Sequence, residues 1–537
     1  MKRLITLLLL ASIIIGCAPA TQTTLPPTPQ PASATATAPA AETASAQWWQ
    51  DAVFYEIFVR SFYDSNNDGI GDFNGIIQKM DYLQSLGINA IWLMPIHPSP
   101  SYHGYDVTNY YAVNTEYGSM NDFKNLLAEA HKRDIKIIID LVLNHTSSQH
   151  PFFIDANNDP QSPYRDWYVW NDKSNGANWH EGKSGYYFGL FWSGMPDLNY
   201  NNPDVTAQME NVARFWLDDI GVDGFRVDAA KHLIEENGKV ENTPATHEWY
   251  KGFYKFYKAN KQEAYAVGEV YNGGAFMAKT YENQLDAIFN FELASAFISS
   301  PQAGTNMPIN SALRFSLKDK PDFNFATFLT NHDQNRVMST LNGNIEQAKV
   351  ASFLLLTTPG TPFIYYGEEI GMQGVKPDED IRLPMQWNAK ENAGFSTVIP
   401  WRAPFTNYSE VNVAAQDIDP DSLLNHYRNL IQIRKEHPAL RTGQVSVIET
   451  GNSGVYAILC VKESETLLVL ANLTDQPIKE YALTLKGAVL ADGTYSVESL
   501  FGAEQVKGPA VTRGVFENYK PVDELNPFST LIVKLLP

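Results

Sequence analysis

The chain has 537 residues, of which 44% are hydrophobic and 12% aromatic, and it carries a formal net charge of −20. That charge argues against a nucleic-acid partner, because phosphate binding needs a basic surface, and it suits an exported protein acting on an uncharged ligand without demanding one. Only two cysteines are present, Cys17 and Cys460; they lie in segments of different character, so no disulfide is expected within a domain.

Residues 1–17 are read as a leader. Lys2 and Arg3 supply a positive start, and an apolar stretch over 4–15 follows, interrupted by Thr6 and Ser12. The stretch is too short for a membrane-spanning helix, which needs about 20 residues, and it suits the apolar part of a signal peptide. It ends Ile14-Ile15-Gly16-Cys17, which resembles the bacterial lipoprotein signal; by that resemblance Cys17 is lipidated after cleavage. Residues 18–46 are Ala, Thr, Pro, Ser and Gln apart from Leu25 and the single charge of Glu42. They hold too little apolar surface to offset the entropy of ordering and read as an extended tether.

From residue 47 short apolar runs alternate with amphipathic stretches. The runs at 53–59, 88–93, 135–141, 222–227, 264–267, 287–291, 326–329 and 362–366 each predict a buried strand. Between them, Ser119 precedes Phe123, Leu126, Leu127 and Ala130 at helical spacing. Asn202-Pro203 likewise opens a helix carrying Val205, Met209, Val212 and Trp216, which Gly221 ends. Eight parallel strands with intervening helices predict an α/β fold, a (β/α)8 TIM barrel over 47–440. Residues 146–201 follow the third strand without clear periodicity and are read as an inserted subdomain. Residues 441–537 are read as a C-terminal antiparallel β-domain, a sandwich. In it, 455–461, a Lys-Glu-Ser-Glu turn and 467–473 form a hairpin, and Cys460 is a small buried hydrophobe.

In such a barrel, chemistry sits where strands end. Asp228, Glu269 and Asp333 each close a predicted strand, with Arg226, His145 and His332 at neighbouring strand ends. A lone carboxylate in this position can be a helix cap or half of an ion pair. Three on different strands, joined by an arginine and two histidines, point to one reactive mouth. Asp64, Asn66, Asp68, the Ile70 carbonyl and Asp72 occupy positions 1, 3, 5, 7 and 9 of a loop with Gly69 at position 6. That is the oxygen spacing of a Ca2+ loop, although position 12 is Gly75 and the site is not an EF-hand.

Four motifs in order, Asp140-Leu-Val-Leu-Asn144-His145, Gly224-Phe-Arg226-Val-Asp228-Ala-Ala-Lys231-His232, Gly268-Glu269-Val270 and Asn331-His332-Asp333, resemble those of the α-amylase family of glycoside hydrolases. The runs Asp64-Ser-Asn-Asn-Asp-Gly-Ile-Gly-Asp72 and Ser101-Tyr-His-Gly-Tyr105-Asp106-Val-Thr are similar to those of bacterial secreted members. The resemblance implies Asp228 as nucleophile, Glu269 as general acid and base, and Asp333 as stabiliser of the oxocarbenium-like transition state, with retention of configuration. It implies substrate contacts from Tyr105, which stacks on the sugar, and from Asp106, Arg226, His145 and His332, with Lys231 and His232 on the leaving side. It also implies a second calcium site, matched in part by Asn144, Asp197 and the His232 carbonyl, with one side-chain ligand unplaced. Of the insert's aromatics (Trp167, Tyr168, Trp170, Trp179, Tyr186, Tyr187, Phe188, Phe191, Trp192), most are expected in its core and one or two on substrate.

The expected activity is retaining, endo-acting hydrolysis of α-1,4 bonds in an α-glucan by a monomer held to a membrane only through its lipid. Three alternatives stay open. A non-catalytic glycan binder of this fold is expected to lose a carboxylate, and all three are kept. A glucanotransferase shares every motif. An exo-acting α-glucosidase or oligo-1,6-glucosidase commonly has Asp three residues before the stacking tyrosine and a bulkier residue after the nucleophile. This chain has Tyr102 and Ala229 there.

Overall fold

A computed structural model describes residues 47–537 apart from 320, 321, 323, 324 and 504. The expected leader and tether, 1–17 and 18–46, lie outside the described residues.

All eight expected strands form one parallel sheet. They are β1 (Phe54–Ile57), β2 (Ala90–Leu93), β3 (Lys136–Leu141), β4 (Gly224–Val227), β5 (Tyr265–Gly268), β6 (Ala287–Ile288), β7 (Ala326–Phe328) and β8 (Thr361–Tyr365). Neighbours pair in chain order, β8 returns to β1, and a parallel bridge from Phe289 to Ala326 joins β6 to β7, so the sheet closes. The sixth strand is shorter than the apolar run suggested. Asn290 leaves the sheet to cap the helix Phe291–Ala303, its side chain accepting from the Leu293 N–H.

The helix signals act as their chemistry dictates. Ser119 and Asp122 form a capping box ahead of Met120–His131, and Asn202 caps Pro203–Arg214 with Pro203 in its first turn. That second helix widens into a π-turn over Phe215–Ile220 before Gly221, in the left-handed conformation, stops it.

Alternation along the strands decides what faces the barrel axis. Phe54, Ala90, Trp92, Ile138, Tyr265, Val267, Phe289, Phe328 and Phe363 pack as an inner core. The residues between them, such as Tyr55, Ile91, Ile139, Phe225 and Ala266, pack outward against the helices. The same parity continued to the strand ends places Glu56, Asp140, Arg226, Asp228 and Glu269 over the inner core.

The insert after β3 is built from the helix Pro151–Asn158 and a three-stranded antiparallel sheet, Trp170–Asn171, Trp179–Gly182 and Gly185–Phe188. Phe153, Tyr168 and Tyr187 form its core, and Arg165 lies 3.5 Å above the Trp170 ring.

C-terminal to the barrel, a five-stranded antiparallel sheet runs in the order Gln444–Val447, Val455–Lys462, Glu465–Asn472, Thr530–Leu536, Ser496–Phe501. Its hairpin pairs Lys462 with Glu465 across a two-residue turn in which Glu463 is left-handed. Tyr456, Ile458, Cys460, Leu467 and Val469 face the barrel's core, whereas Val455, Ala457, Leu459, Leu468 and Leu470 face a separate one. The layer over that second core consists of a two-stranded pairing, Gly493–Thr494 with Ala510–Val511, and isolated bridges. Cys460 is buried, and burial pushes its thiol up to about 12, which leaves it unreactive.

Candidate active site

Arg226 organises the mouth of the barrel. It stands directly opposite Asp140 in the β3–β4 ladder. Its Nη1 donates to Asp140 Oδ1 at 2.7 Å and to Asp228 Oδ1 at 2.5 Å, and its Nη2 lies 2.9 Å from Glu269 Oε2. One guanidinium thus holds three carboxylates from three strands. Trp92 Nε1 donates to the other Asp140 oxygen at 3.0 Å, which fixes that carboxylate from below. Gly224 opens β4 for a steric reason: a Cβ there would meet the Tyr265 carbonyl oxygen at 1.9 Å.

A second cluster faces the first. His332 Nδ1 lies 2.6 Å from Glu56 Oε1, and its Nε2 lies 2.6 Å from the Tyr105 hydroxyl and 3.1 Å from Asp333 Oδ2. Arg382 donates through Nη2 to Asp333 Oδ1 at 2.9 Å and to Asp378 Oδ2 at 3.2 Å, and through Nε to the His332 carbonyl at 2.8 Å.

The charges follow from these contacts. Burial works against an ionised Asp333, yet His332 and Arg382 hold it well below the usual carboxylate range. Burial alone would lower His332, but Asp333 and Glu56 raise it to about 9. Burial raises Glu269; Arg226 opposes the shift, Asp228 and Asp333 reinforce it, and the balance is upward. Burial likewise moves Asp228 upward, against the pull of Arg226. An ionised carboxylate beside a carboxyl with raised pKa is the arrangement that supports a proton donor near neutral pH.

The two clusters border one cleft of about 320 Å³, lined by His103, Tyr105, His145, Phe191, Trp192, Met195, Asp228, Ala229, Glu269, Asp333, Asp378 and Arg382. Of the residues expected from sequence, Asp228, Glu269, Asp333, Tyr105 and His145 therefore meet on its surface. Arg226 and His332 lie beneath, fully buried. Asp106 is buried beside the cleft and accepts from the Ser99 and Ser101 hydroxyls rather than facing the opening. Lys231 pairs with Glu241 at 2.7 Å, and His232 Nδ1 bonds the Val240 carbonyl at 2.8 Å; neither lines the cleft. The insert presents Phe191 and Trp192 at the rim, 48% and 49% exposed.

Four participants were not singled out from sequence: Glu56, Asp140, Asp378 and Arg382. Asp140 ends a strand as Asp228 does, and Glu56 shares the inward parity of Phe54, so the same reasoning reaches both. Asp378 and Arg382 sit four apart with opposite charge, a spacing that pairs on a helix.

The 64–72 loop is held by its own hydrogen bonds. Asp64 Oδ1 accepts from the Asn67 N–H at 2.7 Å and Oδ2 from the Gly69 N–H at 2.9 Å. Asp68 Oδ1 accepts from the Ile70 N–H, and Asp72 caps the next helix at Gly75. The Asn66, Asp68 and Asp72 side chains each keep an oxygen with a lone pair left over, whereas both Asp64 oxygens are already taken twice, Oδ1 by the Asn66 and Asn67 N–H groups and Oδ2 by the Gly69 N–H and the Ser396 hydroxyl. At the second expected site, Asn144 and Asp197 are both buried. Among the described residues no three His, Cys, Asp or Glu side chains converge as a metal cluster.

A family model described as the α-amylase catalytic domain matches residues 56–443. Alpha-amylase 3 of Dictyoglomus thermophilum is 43% identical over 79% of this chain and 85% of its own length. An oligo-1,6-glucosidase of Parageobacillus thermoglucosidasius is 33% identical over 80% of this chain and 91% of its own. The crystal structure of an alpha-amylase from H. orenii superposes with a TM-score of 0.78 at 39% identity, covering 90% of this chain and 99% of that one. With a closed eight-stranded barrel, its strand-end carboxylates around one arginine, and these likenesses along the greater part of its length, the chain belongs to the α-amylase family of glycoside hydrolases.

Proposed function

We propose that the protein is an endo-acting α-amylase that cleaves α-1,4-glucosidic bonds of starch, glycogen and maltooligosaccharides with retention of configuration. The observation that carries this reading is the single guanidinium of Arg226, whose two terminal nitrogens hold Asp228 and Glu269 side by side in the cleft. Carboxylates this close suit a double displacement, which needs about 5–5.5 Å between them, rather than the wider gap that admits a water in an inverting site. Asp228 attacks the anomeric carbon while Glu269 protonates the leaving oxygen; Glu269 then deprotonates the water that releases the sugar. Asp333, kept ionised by His332 and Arg382, stabilises the positive charge that develops on the ring. Tyr105 supplies the stacking face.

The endo-acting reading rests on the cleft's edges. Tyr102 turns aside to stack on Trp401, with ring centroids 5.5 Å apart, and does not line the cleft. Arg382 pairs instead with Asp378. The far edge carries the exposed Phe191 and Trp192, surfaces on which further sugar units of a chain can stack. Ala229 adds little bulk beside Asp228.

Asp228→Asn should abolish turnover, by on the order of 10³-fold or more, while maltooligosaccharide binding persists. The wild-type product should keep the α configuration by proton NMR. A β product, or substantial hydrolysis by a folded Asp228→Asn protein, would contradict the mechanism.

We also propose calcium in the 64–72 loop, through Asp64, Asn66, Asp68, the Ile70 carbonyl and Asp72, with a structural effect. Asp68→Ala should remove part of the loss of thermal stability that a chelator causes. Attachment through a lipid on Cys17 is proposed from the leader sequence; Cys17→Ser should release the protein from the membrane fraction.

A further inference from the structure

A second cavity, of about 690 Å³, adjoins the strip of chain at 374–383 that follows β8. Asp378 and Arg382 of this strip line the active-site cleft, whereas Gly374, Asp380 and Leu383 line the second cavity. One strip is therefore a wall of both.

That wall is fixed from the barrel. The Gly374 carbonyl accepts from the Arg336 N–H at 3.0 Å, and the Gly374 N–H donates to Ser339 Oγ at 2.9 Å. The buried Arg336 also donates through Nε to the Ile381 carbonyl at 2.9 Å, and the Tyr366 hydroxyl donates to the Leu383 carbonyl at 2.7 Å. Arg402 Nε donates to Asp380 Oδ1 at 3.0 Å, which ties the segment 402–406 to the strip as a further wall. Gly374 allows the close fit, because a Cβ there would meet the Asp380 carbonyl oxygen at 2.4 Å. Walls held in this way form the cavity before a ligand arrives, as is usual for small-molecule sites.

The lining combines two kinds of surface. Leu383, Pro404 and Phe405 are apolar, and Asn342, Gln373, Asp380 and Arg402 are polar. The charged residues of the lining, Asp380 and Arg402, pair with each other, so the cavity offers no net charge to an ion. Carboxamides and a guanidinium–carboxylate pair donate and accept in fixed planes, and an aromatic ring packs on apolar faces. A wholly apolar ligand would strip water from these polar groups and leave them unpaired. A ligand hydroxylated around its edge, apolar on its faces and uncharged matches both surfaces. A glucose ring in a chain has that character.

We propose that this cavity is a second binding site for the α-glucan chain, which holds polymer beside the cleft and takes no part in cleavage. The inference rests on the α-glucan reading of the cleft. The shared wall gives the site its consequence: a chain held on one side raises the local concentration of its own further units on the other. A short oligosaccharide that fills only the cleft gains nothing from it.

Soluble starch and maltotriose separate the two sites. Phe405→Ala should raise KM for soluble starch by about threefold or more, with kcat on starch and both constants on maltotriose unchanged. Asn342→Gly combined with Gln373→Ala should do the same, and it keeps the proposal testable if Phe405→Ala fails to fold. Asn342 is exposed at φ 53°, a conformation that glycine adopts readily. In native gels containing soluble starch, the inactive Asp228→Asn protein should migrate more slowly than in plain gels. Adding Phe405→Ala or the double substitution should restore part of that mobility while maltotriose affinity stays the same. Unchanged KM for starch and unchanged mobility in folded variants would overturn the second site. Equal losses on starch and maltotriose would also overturn it, since they would assign these residues to the cleft itself. A wild-type protein that turns over neither starch nor maltotriose would instead overturn the glucan reading of the cleft, and the occupant proposed here with it.

Discussion

The backbone N–H of Ala229 donates to Glu269 Oε2 at 3.0 Å, so the residue that follows one carboxylate of the cleft orients another. Ala229 achieves this in the left-handed conformation, with φ 45° and ψ 38°. That conformation costs a non-glycine residue about 1–2 kcal/mol, and a β-branched side chain tolerates it worst. Ala229→Val should lower the melting temperature and reduce kcat by about tenfold or more, as the turn shifts and Glu269 loses its donor. Ala229→Gly should keep stability within about 1 kcal/mol of wild type and retain most activity. Thermal melts with steady-state kinetics on both variants check this; a fully active Ala229→Val would contradict the positioning role.

The acid limb of the activity profile should report Asp228. Arg226 is the group that pulls the Asp228 carboxyl downward against burial. Without it, Asp228 protonates at higher pH. Arg226→Met should therefore move the acid limb of kcat/KM upward, so that the loss relative to wild type is larger at pH 5 than at pH 7. Even at the optimum, kcat should fall by about 10²–10³-fold. An unshifted acid limb would separate Arg226 from Asp228.

His332 links pH to stability. Its folded value of about 9 lies above the ordinary 6.5, so its contribution is complete below about pH 6.5 and is lost as pH rises through about 9. The span corresponds to about 3 kcal/mol at most. In denaturant unfolding, the margin of wild type over His332→Gln should shrink between pH 6 and pH 10. A constant margin would mean that His332 is not the charged partner of Glu56 and Asp333.

Much of this architecture was legible in the chain. Eight apolar runs marked eight strands, and Ser119, Asn202, Pro203 and Gly221 marked helix ends through caps that act locally. The reactive strand-end carboxylates were legible because a charge closing a buried run needs a reason. The supporting groups were harder to read. Glu56 lies inside an apolar run, where its meaning comes from His332, 276 positions away. Arg382 lies in a segment without periodicity, placed only by the closing of the barrel. Asp106 illustrates the converse: its neighbour Tyr105 lines the cleft, but the turn directs Asp106 to the Ser99 and Ser101 hydroxyls. Adjacency in sequence did not specify which way a loop side chain faces.

A cleft that lies open between Tyr105 and the Phe191–Trp192 rim should cut α-1,4 chains internally. The most direct measurement follows soluble-starch viscosity and reducing ends in the same reaction, with the early products separated by chromatography. Viscosity should collapse well before reducing ends accumulate, the early products should be maltooligosaccharides of mixed length, and isomaltose should be a poor substrate. Glucose as the sole early product, with viscosity falling only in step with reducing ends, would contradict internal cleavage and assign the chain to the exo-acting glucosidases of its family.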